Sequence, residues 1–125
     1  MQAFQAELDK ATADLKMAFP KKAQSWGLAR KCLNIFLRDC YYCFYLHEPF
    51  CLDRAKDFYE IPLDKVVAKG LASNAKNLPR WRGVKHLTSD ESDVYQQAAG
   101  KLAKEWHIER VHLDTFLWTE GRSVS

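Results

Sequence analysis

"WGLARKCLNIFLRDCYYCFYL", residues 26–46, is the most apolar stretch of the chain. Leu28, Cys32, Ile35, Phe36, Cys40 and Cys43 recur along one side of a helix drawn through it. Leu33, Leu37, Tyr41 and Phe44 cover much of the other side. Apolar residues at this spacing predict a helix, and one that is apolar over most of its surface belongs in the middle of a domain. Pro49 closes it. The rest of the chain is expected to wrap around this helix.

Working outward, Phe4, Leu8, Ala11 and Leu15 give a helical stripe over 3–18, which Pro20 ends. A short helix is expected over 52–59, and Pro62 stands where a helix start tolerates proline. Leu63, Val66, Val67 and Leu71 form the next stripe. "TSDE" at 88–91 spells a capping box, with Thr88 as N-cap and Glu91 three residues on. Tyr95, Ala98, Ala99, Leu102 and Trp106 continue that helix. A last one holds Val111, Leu113, Phe116 and Leu117, with Gly121 placed to end it. Nothing alternates with period two for long enough to argue a sheet. The expectation is an all-α fold, a compact single-domain bundle of about five or six helices over residues 1–125.

Composition narrows the function classes. With 125 residues the chain has the length of one domain, and 47% hydrophobic against 28% charged residues excludes a disordered tract. A formal charge of +3 is compatible with nucleic acid without requiring it. There is no apolar run of roughly eighteen residues and no secretion signal, so the expected setting is cytoplasmic, with no membrane partner. Cys32, Cys40, Cys43 and Cys51 are then expected as buried small hydrophobes. Cys40 and Cys43 have a metal-like spacing, but their surroundings read as an apolar helix running into a turn. His107 and His112 are out of step for one helical face, so with Asp114 they make a poor ligand set. No metal or cofactor is expected. Phosphate-loop, dinucleotide and G-x-S-x-G motifs are absent from the sequence.

Three features carry chemistry or have plainer explanations. Lys31 adjoins the apolar helix, where an amine is either a nucleophile against an apolar wall or a side chain that snorkels to water. Asp64 occupies the first turn of a helix, as a reactive carboxylate or as a cap. "SNAKNLPRWRGVKHL", residues 73–87, carries Lys76, Arg80, Arg82 and Lys85 with no acid. It reads as a phosphate-binding loop with Trp81 as a wedge, or as a solvated loop with Trp81 in the core.

"ARKCLNIFL" (29–37) followed by "IPLDKVVAKGL" (61–71) resembles the central part of the helix-hairpin-helix DNA glycosylases. "HLDTFLWTEGR" (112–122) looks like the closing helix of some members. The resemblance implies that Lys31 is the Schiff-base lysine, that Asp64 assists base loss, and that Pro62 is the proline preceding it. It also implies duplex DNA with a damaged or abasic site as partner, contacted through Arg30 and the 73–87 loop. The long interval between Lys31 and Asp64 is closest to an archaeal 8-oxoguanine branch. The paired glycines of the hairpin are missing, with only Gly27 before the lysine, and the cysteine spacing does not match the family's iron–sulfur cluster. The family's additional helical half has no counterpart ahead of Lys31. The expected function is accordingly a base-excision glycosylase and abasic-site lyase. The alternative is a non-catalytic helical domain that binds nucleic acid or a partner protein, or an adaptor completed by another chain or a second copy.

Overall fold

A computed structural model describes residues 2–123. Among the described residues there are six α-helices and no strand, as the apolar spacing predicts. They are α1 (Gln2–Ala18), α2 (Trp26–Tyr42), α3 (Phe44–His47), α4 (Lys65–Asn74), α5 (Ser89–Glu105) and α6 (Leu113–Ser123). No helix is long and apolar enough to cross a membrane among the described residues. The Thr88 capping box forms as expected, with Glu91 N donating to Thr88 Oγ1 and Thr88 N donating to Glu91 Oε1. α6 continues through Gly121, which was expected to end it.

The principal core does not surround α2. It is built by α4, α5 and α6, with Val67, Ala68, Leu71, Tyr95, Ala99, Leu102, Leu113 and Leu117 packed about Ile61 and Leu63. The buried residues of α2 are Gly27, Ala29, Arg30, Asn34 and Tyr41. Cys32 is exposed and Phe36 is 62% exposed. The inward side of α2 is thus its small and polar side, because that side lies against α1 and against Glu60. The helix also stops at Tyr42 rather than running to 46. Cys43 is extended, and Tyr41 O accepts from His47 Nδ1 at 2.8 Å, which satisfies one carbonyl left open by the break.

Ser25 caps α2 by accepting from Leu28 N, and its hydroxyl donates to Lys85 O at 2.9 Å. The amino end of α2 is thereby tied to the short 3₁₀ turn at Val84–His86. Gly27 permits that approach. A Cβ there would lie 2.1 Å from Val84 O and 2.8 Å from Leu87 Cβ. We expect Gly27→Ala to destabilise the fold by about 3 kcal/mol or more, since backbone rather than a flexible side chain must give way. A urea midpoint within experimental error of the parent protein would show that the turn yields freely.

The segment between α3 and α4 is mostly not helical. A single 3₁₀ turn at Leu52–Ala55 replaces the helix expected over 52–59. Tyr59, Glu60, Ile61, Pro62 and Leu63 then run as a buried, non-helical segment. Pro62 lies inside this segment and not at a helix start. The segment's partners are side chains. Ile61 N donates to Gln96 Oε1 at 3.1 Å, and Gln96 Nε2 donates to Ile61 O at 2.8 Å. Arg110 donates to the carbonyls of Phe58 and Tyr59. An extended chain buried without such partners would carry orphaned amides, and these contacts deliver Asp64 to the start of α4.

Candidate active site

Lys31, Ile35 and Arg38 recur on α2 at spacings of one helical stripe. They form one wall of an open cavity of about 490 Å³. Pro62 and Asp64 form a second wall, and Asp114 and Trp118 of α6 a third. Lys31 and Asp64, distant in sequence and carried by different elements, therefore face one cavity.

Each group is held by its own local structure. Asp64 is the N-cap of α4, one position outside the helix, and its Oδ1 accepts from Val67 N at 2.8 Å. A carboxylate at this place meets the free amides and the positive end of the helix dipole. Lys31 is half-buried and makes no ion pair among the described residues. Asp114 is 4% exposed, and its Oδ2 accepts a hydrogen bond from Arg38 Nη1. Burial works against the charge of Arg38, but the carboxylates of Asp114 and Asp39 outweigh it and raise the guanidinium pKa. Asp114 Oδ1 is buried and accepts no hydrogen bond among the described residues. A buried acceptor without a donor carries a desolvation cost, and Asn34 Oδ1 stands in the same state.

The residues expected to contact nucleic acid divide into two groups. Arg30 is 2% exposed and is not available to a phosphate. Its Nε and Nη2 grip the two oxygens of Glu60 at 2.9 and 3.1 Å, and its Nη1 reaches Asp9 and Thr12. Trp81 is half-buried, packed against the core and edge-on to Tyr95 with centroids 5.8 Å apart. Lys76, Arg80, Arg82 and Lys85 are exposed. Arg82 is partly engaged, donating to Glu91 Oε1 and His86 O. Gly27 touches the 84–87 turn and stands four positions before Lys31, and such positions share a helix face. The basic segment is thereby anchored one turn of α2 away from the cavity lysine.

His112 lies between Tyr42 Oη (2.7 Å) and Glu109 Oε2 (2.8 Å), and Tyr41 donates to the same carboxylate oxygen. Burial, and then Glu109, push the Tyr41 pKa upward. No group of three or more metal-ligating side chains gathers among the described residues. Cys32 and Cys51 are exposed and Cys40 and Cys43 half-buried, all with free thiols, so the expectation of four buried cysteines fails. Sequence reasoning considered Asp114 only beside His107 and His112, and it did not consider Arg38. The available signal was that Arg38 falls seven positions after Lys31, on the same stripe. Comparison with protein-family models, curated proteins and solved structures gives no match.

Proposed function

We propose that this chain is a DNA base-excision protein of the helix-hairpin-helix glycosylase kind, with Lys31 as nucleophile and Asp64 as electrostatic partner. The observation that carries the reading is the convergence of Lys31 and Asp64 on one cavity. The cavity is open to solvent on one side, as a base swung out of a duplex requires. Trp118 and Asp114 also line it. As the bond between sugar C1′ and the base breaks, positive character grows on the sugar, and a carboxylate at the position of Asp64 stabilises it. The base departs with the electrons of that bond and takes up a proton. The Lys31 amine, once deprotonated, forms a bond to C1′ and yields an imine as the sugar ring opens. Loss of a C2′ proton with cleavage of the C3′–O bond then expels the 3′ phosphate and cuts the strand. Lys76, Arg80 and Lys85, exposed on the anchored loop, suit the flanking phosphates.

The test is borohydride trapping on duplex DNA containing an abasic site. Reduction of the imine is expected to leave a covalent adduct, absent in Lys31→Ala. Salt-dependent binding without an adduct would leave a non-catalytic DNA binder. Neither binding nor adduct would direct attention to protein association through the turn bearing Phe44, Tyr45 and Phe50, which are 84%, 81% and 69% exposed. That patch is of the kind that marks interfaces.

A further inference from the structure

We propose that Tyr42 is the nucleophile of a second reactive centre, with His112 as its base and Glu109 positioning that base, which hydrolyses uncharged aromatic esters. The centre uses neither Lys31 nor Asp64 and does not depend on the base-excision reading. Tyr42 is the last residue of α2 and is 48% exposed. Its Oη lies 2.7 Å from His112 Nδ1, in a contact at the exposed surface. His112 Nε2 lies 2.8 Å from Glu109 Oε2, just ahead of α6. A carboxylate oxygen only accepts, so the proton of the neutral imidazole sits on Nε2, and Nδ1 accepts from the phenol. Glu109 is fixed in turn by Tyr41 Oη at 2.8 Å, and the His112 ring stacks on Tyr41. A hydroxyl, a base within hydrogen-bond reach and a third group orienting that base together make an activated nucleophile. Burial first, and then Asp114, raise the Tyr42 pKa and keep the phenol protonated. Its proton must therefore leave as the new bond forms, and His112 is placed to take it.

Tyr42 shares the wall of an open cavity of about 620 Å³ with Tyr41, Phe44, Glu48, Asp53 and Arg54. The rings suit an aromatic group, whereas Glu48 and Asp53 disfavour an anion such as a phosphate ester. In the first step Tyr42 Oη bonds to the ester carbonyl carbon while the phenol proton passes to His112 Nδ1. The bond from that carbon to the leaving oxygen breaks with its electron pair, and the leaving group takes the proton back from His112. Water then attacks the tyrosyl ester and gives a proton to His112. Departure of the acid returns that proton to Tyr42 and restores the phenol.

The experiment treats the full chain with p-nitrophenyl acetate at neutral pH and follows acetylation of each tyrosine by peptide mass spectrometry. Hydroxylamine cleaves tyrosyl esters but not lysyl amides, which separates this label from acetylated lysine. Tyr45 is the internal reference, since it is 81% exposed and its hydroxyl has no hydrogen-bond partner among the described residues. Tyr42 should be acetylated about tenfold or more faster than Tyr45 in the parent protein. The parent should also release p-nitrophenolate beyond a stoichiometric amount, about tenfold faster than Tyr42→Phe. In His112→Gln and in Glu109→Gln the advantage of Tyr42 over Tyr45 should fall to within about threefold. In alkali, where phenols lose their protons unaided, Tyr42 of both variants should react as fast as in the parent. His112→Asn is the variant to read if His112→Gln does not fold. Equal reactivity of Tyr42 and Tyr45 in the parent overturns the inference, as does a parent-like advantage in both variants. A loss that persists in alkali also overturns it, since it marks a disturbed surface and not a missing base. Release of p-nitrophenolate at the same rate by Tyr42→Phe overturns the role of Tyr42 as nucleophile.

Discussion

Exchanging Glu60 for glutamine will lower folding stability by about 3–5 kcal/mol, the cost of leaving one partner of a buried ion pair uncompensated. Glu60 and Arg30 are 4% and 2% exposed, and Arg30 meets both carboxylate oxygens. The neutral amide still fits, but it removes the charge that balances the guanidinium. Asp9 is too exposed to replace it, with a side chain 52% accessible. The loss is a large share of the roughly 5–15 kcal/mol that holds a domain of this size together. The double variant Arg30→Met with Glu60→Leu should recover part of the loss, because apolar replacement of a whole buried pair is often close to neutral. Recovery will be incomplete, since Asn34 Nδ2 donates to Glu60 Oε1 and would be stranded in the interior. Equilibrium urea unfolding of the three proteins measures this directly. A single variant as stable as the parent would mean that water reaches Arg30 and that the pair contributes little.

What was legible in the sequence follows from the range of each signal. The Thr88 capping box involves atoms three residues apart, and it forms as read. Pro62 was misassigned because proline suits both a helix start and an extended segment. The choice between them is made by Gln96, which bonds the neighbouring Ile61 from 35 positions along the chain. The spacing of Leu28, Cys32 and Phe36 correctly announced a helix, but periodicity alone does not say which stripe faces inward. Arg30 is buried because Glu60 receives it, and Phe36 is left outside. Lys31 and Asp64 were legible as candidates, since each lies in a recognisable local context. Their convergence depends on the buried segment from Tyr59 to Leu63, and hence on non-local contacts. The pairing of Arg38 with Asp114 spans 76 positions and has no local signature at all.

On the base-excision reading proposed above, Asp64→Asn separates a catalytic task from the capping one, and it should lower base excision by about 10²–10³-fold while leaving stability nearly unchanged. Asparagine is as good an N-cap as aspartate, so its side-chain oxygen can still accept from Val67 N and hold the start of α4. It carries no charge, so it offers far less to the positive sugar that develops as the base leaves. Asp64→Ala loses both tasks and should also cost about 1 kcal/mol of stability. The contrast between substrates sharpens the test. On DNA that is already abasic the glycosidic bond is gone, and Lys31 needs only to attack the open sugar. Borohydride adducts on that substrate should therefore persist in Asp64→Asn while release of a damaged base collapses. Equal losses on both substrates would mean that the substitution disturbs Lys31 or the cavity wall. Undiminished base release would mean that Asp64 is a helix cap and nothing more, and that any charge acting on the sugar must come from another residue of the cavity.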